Sequence, residues 1–151
     1  MARARIAVLF LLIAVMAAAT GAAISQPILP KNAPRFEPQP FWPKPLPSNW
    51  ILGQVSGIAV DRNNHIWIIH RPSTLLDDEK GAQKDPPATI CCKAAPPVLK
   101  FDANGNLLAS WGGPGEGFDW PKNEHGIFVD RDGNVWLAGN DKNDHQILKG
   151  F

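Results

Sequence analysis

The sequence predicts an all-β protein made of repeated antiparallel hairpins. Short runs rich in Val, Ile, Trp and Phe alternate with clusters of Gly, Asp and Asn, and no helix-period apolar pattern follows the N-terminal segment. A twelve-residue pattern at 56–67 returns 69 positions later, at 125–136, with six identical residues. Because a single hairpin is marginally stable in water, a chain that repeats one is expected to stack the copies. The sequence therefore predicts a repeat protein.

The first 23 residues have the three regions of a secretory signal. Arg3 and Arg5 precede a 14-residue apolar run at 6–19, and small residues follow as far as Ala23. The run is shorter than the ~20 residues that a spanning helix needs, so cleavage near Ala23 is expected, with a retained membrane anchor as the alternative. Cleavage predicts a secreted or periplasmic protein whose mature chain has no membrane attachment.

The charge balance gives no reason to expect a nucleic acid as partner. The chain carries 15 Lys and Arg against 14 Asp and Glu, a formal net charge of +1. Removal of the two signal arginines leaves the mature chain near neutral, and no stripe of basic residues runs along it. The expected partners are a peptide, a small molecule, a protein or a glycan.

Residues 24–50 are predicted to form an extended, proline-rich arm. Eight of the 21 residues at 27–47 are proline, which fixes φ and removes a backbone donor. Phe36, Phe41 and Trp42 make the stretch too aromatic for a bare linker. We expect the arm to lie over the surface of the folded domain, and a disordered tether is the alternative.

Residues 51–151 contain the predicted strands of the repeat. These strands are expected at 57–61, 66–70, 98–102, 107–111, 126–130, 135–138 and 145–149. The run 98–100 aligns with 147–149, so four antiparallel strands make one unit of roughly 45–50 residues, the period of a propeller blade. One blade is complete and a second is partial. Because propellers close with at least four blades, the sequence is expected to be the N-terminal portion of a longer propeller.

An insertion interrupts the first predicted blade within 73–96. Val98 lies 31 positions after Trp67, whereas Ile147 lies 11 positions after Trp136, a difference of 20 residues. Insertions in repeat proteins often emerge on the binding face. The acidic run inside this one is expected to be a solvated loop.

Two adjacent cysteines, Cys91 and Cys92, lie in the insertion. Cysteines of an exported protein suggest a disulfide. Neighbouring Cα atoms, however, lie about 3.8 Å apart across a trans peptide, below the usual disulfide range. A vicinal disulfide with a strained peptide, pairing with cysteines beyond Phe151, and two free thiols all stay open.

The spacing of the runs resembles the NHL repeat. The segments that carry the resemblance are Val98-Leu99-Lys100-Phe101-Asp102-x-x-Gly105-Asn106-Leu107, Trp111-Gly112-x-x-Gly115-x-Gly117-Phe118-x-x-Pro121 and His125-Gly126-Ile127-x-Val129-Asp130-x-x-Gly133-Asn134-Val135-Trp136. Within that family, 52–61 followed by Ile69-His70-Arg71 is similar to the first blade of the peptidyl-α-hydroxyglycine amidating lyases. The resemblance implies a six-bladed propeller that splits a carbinolamide into a peptide amide and glyoxylate.

The same resemblance implies a zinc ion and a calcium ion. His125 corresponds to a zinc histidine, Arg71 to the catalytic arginine beside the metal, and Ile58 and Ile127 to residues whose backbone carbonyls bind calcium. The sequence departs from the lyase pattern at Pro72, in the insertion, and in having no tyrosine to act as the base. The remaining zinc ligands are expected beyond residue 151.

Each of these residues also has a structural interpretation. His125 at a strand start can bond a loop carbonyl, and Arg71 can pair with Asp77 or Asp78 on the rim. The segment 130–134 superficially resembles a calcium loop but favours a turn. For the whole protein, the alternative to a lyase is a non-catalytic propeller whose top face, with the 73–96 loop, binds a peptide, glycan or protein.

Overall fold

Residues 32–150 are the part of the chain that this computed structural model describes. The predicted signal at 1–23 and the first part of the predicted arm lie outside the described residues. All the strands below belong to one compact unit that begins at Gln39. Between residues 32 and 150 there is no helix long and apolar enough to cross a membrane.

Nine strands, β1 to β9, lie within the described residues, and their sheets are almost entirely antiparallel. In chain order they are Trp50–Ile51, Gln54–Val60, Ile66–Arg71, Lys93–Ala94, Val98–Phe101, Leu107–Trp111, Glu124–Val129, Val135–Gly139 and Ile147–Gly150. The first sheet has the order β2-β3-β5-β6 and the second has the order β7-β8-β9. The short strands β1 and β4 pair in parallel. The all-β prediction is confirmed.

Seven of the nine strands correspond to the predicted ones, with shifted ends. Strand β2 begins three residues before the predicted start and β7 two residues before it, because each continues through a register shift, at Val55/Gly57 and at Glu124/Gly126. Strand β9 begins two residues late, at Ile147. The two-residue strands β1 and β4 were not predicted, and β1 spans the expected boundary between arm and repeat.

Aspartates that follow β2, β5 and β7 close the three hairpin turns. The Oδ1 atoms of Asp61, Asp102 and Asp130 each accept a backbone N–H from the residue four positions later, at 3.0, 2.8 and 2.9 Å. The Asp side chain thus takes over turn bonding that the backbone alone leaves open. The carboxylate of Asp130 is therefore used by its own turn, which supports the turn interpretation of 130–134.

The first and second sheets share a buried core. Trp67, Ile69 and Val98 of the first sheet pack with Val135 and Leu137 of the second. Trp67 and Ile69 are two positions apart, so strand alternation places both on this face of the sheet. Full burial of such side chains stabilises the fold by about 1.5–3 kcal/mol each.

The opposite face of the first sheet is covered by residues that precede it in the chain. Leu99 and Phe101 are fully buried there, and Trp42, Leu46 and Trp50 pack against their cluster. The ring centroids of Trp42 and Phe101 are 5.4 Å apart. Strand β3 is therefore sandwiched between two apolar layers, which explains its nearly continuous run of buried residues.

The insertion folds against the start of the repeat. A single-turn 3-10 helix at Pro72–Thr74 leads into it, a second lies within it at Gly81–Gln83, and its strand β4 pairs with β1. Cys91 and Cys92, immediately before β4, form a disulfide with each other. Of the three possibilities left open by the sequence, the structure adopts the vicinal disulfide.

Candidate functional site

The candidate site lies where β3 ends and β7 begins. Arg71 is the last residue of β3, and His125 is the second residue of β7. The hairpin turns of both sheets are at the other ends of these strands, so the two residues share one edge of the packed sheets. Strands β2 and β3 both contact β7, and this packing brings together side chains 54 positions apart.

A β-bulge presents His125. In β7 the register shifts between Glu124 and Gly126, which leaves His125 as the extra residue opposite β8. In β2 the same shift between Val55 and Gly57 leaves Ser56 as the extra residue. Bulges redirect a side chain out of the regular strand alternation and occur often beside active sites. The repeat therefore offers the same backbone position twice, with a serine in the first copy and an imidazole in the second.

Arg71 holds the start of β7 by two hydrogen bonds. Its Nε donates to the backbone carbonyl of Glu124 at 2.7 Å, and its Nη2 lies 3.2 Å from Nδ1 of His125. A guanidinium can only donate, so Nδ1 must be the acceptor and the imidazole is neutral, with its proton on Nε2. Arg71 thus bonds these two groups and not Asp77 or Asp78, and His125 bonds Arg71 and not the loop carbonyl of the structural alternative.

Ile58 and Ile127 lie on the neighbouring strands β2 and β7. The contact between these strands depends on Gly57, where an added Cβ would lie 3.0 Å from the carbonyl oxygen of His125 and 3.2 Å from Cγ2 of Ile127. A side chain at position 57 would therefore require its neighbours to move by a few tenths of an ångström. The structure therefore brings Arg71 and His125 into contact, while Ile58 and Ile127 lie farther along the adjacent strands β2 and β7.

The described residues alone do not provide a zinc site. Among residues 32–150 there is no group of three His, Cys, Asp or Glu side chains that could hold a metal ion. His125 supplies one imidazole, and its Nδ1 is engaged by a cationic guanidinium. For Nε2 to bind zinc it must give up its proton, and the tautomer with the proton on Nδ1 cannot accept from Arg71. Metal binding at His125 thus requires Arg71 to release the ring.

Glu124 is a buried carboxylate that the sequence reasoning missed. Glu124 is only 5% exposed, and its Oε1 accepts a hydrogen bond from the indole N–H of Trp120 at 2.8 Å. Glu124 occupies the repeat position of Val55, 69 residues earlier. A carboxylate where the first copy of the repeat has valine was the signal that could have identified it.

A cleft of about 530 Å³ adjoins Glu124 and the residue that follows Arg71. Its wall contains Trp50, Trp120 and five prolines, among them Pro72 and Pro114. Glu124 contributes a carboxylate to the same wall. We call this space the proline cleft. The insertion forms one side of it and the connection between β6 and β7 forms another.

His70 is the second buried polar residue at this edge and has a structural role. Its Nδ1 accepts the backbone N–H of Gly53 at 3.1 Å, and Nε2 lies 3.0 Å from the carbonyl oxygen of Pro96. The ring therefore joins the start of the repeat to the end of the insertion. Burial holds the pKa of His70 below its ordinary value.

Comparison with protein-family models and with curated protein sequences finds no match to this chain. The relation to the NHL repeat and to the amidating lyases stays a prediction that depends on the motifs quoted above.

Proposed function

We propose that the chain is part of an exported NHL-type propeller and that Arg71 and His125 belong to the active site of a lyase acting on peptidyl-α-hydroxyglycine. The observation that carries the proposal is the 3.2 Å contact between these two residues. Both were predicted from separate motifs in different repeats, and the contact joins them at one edge of two packed sheets.

The equivalence of the two sheets supports the propeller part of the proposal. Trp67 pairs in register with Lys100, and Trp136 pairs in register with Lys149. Each lysine ammonium also lies over its tryptophan ring, 4.9 and 5.4 Å from the centroid. Two sheets with the same register and the same cross-strand pair, packed face against face, are the arrangement expected of successive blades.

The proposed reaction breaks the C–N bond of a carbinolamide. The hydroxyl proton leaves, its oxygen becomes the aldehyde oxygen of glyoxylate, and the electron pair of the broken bond stays on nitrogen, which takes a proton to give the peptide amide. Arg71 would stabilise the negative charge that develops on the oxygen, and the Nε2–H of His125 would be a second hydrogen-bond donor at the same edge of the sheets. The chain has no tyrosine, so a tyrosine base would come from outside the 151 residues.

The two metals belong to the proposal only as implied by the resemblance. Because the described residues contain no group of three potential metal ligands, the residue roles given above do not depend on zinc. Calcium would bind the backbone carbonyls of Ile58 and Ile127, since a hard cation prefers oxygen ligands.

Glyoxylate release tests the proposal directly. The full-length protein should release glyoxylate from a peptidyl-α-hydroxyglycine, and Arg71→Ala should lower kcat by about 10²–10³, the usual cost of removing one charge-stabilising donor. Arg131→Ala, an exposed turn arginine, is the matched control and should keep full activity. No glyoxylate from the unmodified protein would exclude the lyase assignment.

A non-catalytic binding propeller is the second candidate. It is favoured by the proline cleft, which the insertion helps to form and whose volume lies within the range of about 300–1,000 Å³ that is typical of ligand sites. Binding of a peptide without any turnover of the carbinolamide would select this function.

A further inference from the structure

We propose that the proline cleft binds an aromatic side chain of a peptide ligand. Under the proposed function, on which this second step rests, the side chain belongs to the residue that precedes the α-hydroxyglycine. The lyase would then prefer peptides with an aromatic residue at that position and would reject those with an acidic one.

The wall of the cleft suits a flat, apolar ring. Two indole rings and five pyrrolidine rings line it. Prolines and tryptophans have few rotatable bonds, so little conformational entropy is lost when a ligand orders them. Aromatic rings also pack favourably against indole in edge-to-face or offset geometry. An aliphatic side chain would gain the burial but not the ring contacts.

The charges around the cleft determine the polarity of the ligand. Glu124 lies in the wall, and only one of its oxygens has the indole of Trp120 as its partner. A second carboxylate brought next to it would be repelled by the like charge. The exposed Lys122 also lines the cleft, and Arg71 bonds the backbone carbonyl of Glu124. An acidic side chain seated against Glu124 is therefore disfavoured, while the exposed Lys122 can attract the carboxylate at the end of the peptide.

The position of the cleft fits a residue next to the reacting one. Pro72 of the wall follows Arg71 directly, and Glu124 precedes His125. A peptide whose last residue lies at Arg71 and His125 can thus place the preceding side chain in the cleft. The insertion that supplies part of the wall is a departure from the lyase pattern, so this preference would be specific to this chain.

Three unreactive dipeptides test the cleft without catalysis. N-acetyl-Phe-Gly, N-acetyl-Ala-Gly and N-acetyl-Glu-Gly lack the hydroxyl group and cannot be cleaved. Titration calorimetry with the full-length protein should show the Phe peptide binding at least tenfold more tightly than the Ala peptide, and the Glu peptide more weakly than both. Equal Kd values for the Phe and Ala peptides, or no binding of either, would overturn the proposal.

Two blocking variants locate the binding. Ser73→Trp and Pro114→Trp add a large side chain at exposed positions of the wall, from the insertion and from the β6–β7 connection. Each should abolish the Phe advantage. Ala103→Trp, in an exposed turn at the other end of the first sheet, should preserve it. A Phe advantage that survives both blocking variants would place the ring elsewhere and overturn the proposal.

The outcomes separate this inference from the lyase assignment. A Phe preference in binding without glyoxylate release overturns the lyase and leaves the cleft as a peptide-binding site. Glyoxylate release with no preference among the three side chains overturns the cleft alone.

Discussion

The hairpins β2–β3 and β7–β8 have the same local structure in different surroundings. In both, the turn aspartate accepts the indole N–H of the tryptophan six residues later, at 3.1 Å from Trp67 to Asp61 and at 2.9 Å from Trp136 to Asp130. Both first strands contain a bulge at the same repeat position. The shared residues thus reproduce bond lengths, register and irregularity together, which is what a true structural repeat requires.

The burial of the two hairpins differs. Strand β3 buries four consecutive residues, whereas β8 buries only Val135 and Leu137. Trp67 is 7% exposed, whereas Trp136 is half-buried. The first sheet is covered on both faces, by the second sheet on the side of Trp67 and by residues of the proline-rich region on the side of Ile68, while the described residues include no equivalent cover for the outer face of the second sheet. Local sequence therefore determines the hairpin, and its neighbours determine how much stability it contributes.

The largest expected effect comes from the covered face. Phe101→Ala should destabilise the protein by about 3–5 kcal/mol, because Phe101 is fully buried against Trp42 and its loss leaves a cavity. Phe128→Ala in the second sheet removes a side chain that is 61% exposed and should cost much less. Denaturant unfolding of both variants measures the contrast, and equal losses would show that both sheets are equally covered in solution.

The turn aspartates should give an intermediate effect. Asp61→Ala should cost about 1–3 kcal/mol, since it leaves the buried indole N–H of Trp67 without a partner. Asp130→Ala should lower stability less, because Trp136 can reach water. The hydrogen bonds from Trp136 and Asn134 hold the pKa of Asp130 at about 2, so this carboxylate is ionised at neutral pH. Thermal unfolding of the two variants at neutral pH tests the order.

The smallest expected effect is a pH dependence confined to the first hairpin. His70 occupies the repeat position of Gly139, so only the first copy carries a buried imidazole. Burial lowers its pKa in the folded state below the ordinary 6.5, so the unfolded chain binds more protons. The stability that the neutral His70 contributes should be fully present above pH 6.5 and should be lost progressively as the pH falls below that value.

Unfolding free energies at pH 7.5 and pH 5.5 test this assignment. His70→Gln should flatten the difference between the two pH values, whereas His145→Gln, at an exposed position, should keep the difference seen in the unmodified protein. If His70→Gln leaves the difference in unfolding free energy between the two pH values unchanged, another group is responsible for the acid sensitivity.

Sequence reasoning worked where the responsible interactions are local. The turns at Asp61, Asp102 and Asp130 follow from the ability of an aspartate to bond the backbone a few residues ahead. Strand alternation identified which side chains share a face. Strands β1 and β4 were missed because each has only two residues, which is too short to show an alternating pattern. The first residues of β2 and β7 were missed because a bulge interrupts the alternation of each strand.

The sequence by itself determined the strands, the turns and the repeat, because each depends on residues within a few positions of one another. Only the tertiary structure decided that Arg71 bonds His125, that Glu124 is buried beside Trp120, and that the insertion borders a cleft at this edge. These contacts join residues from separate strands and connections. They depend on how Gly57 lets β2 approach β7 and on which faces of the sheets pack, and neither is set by the local order of side chains.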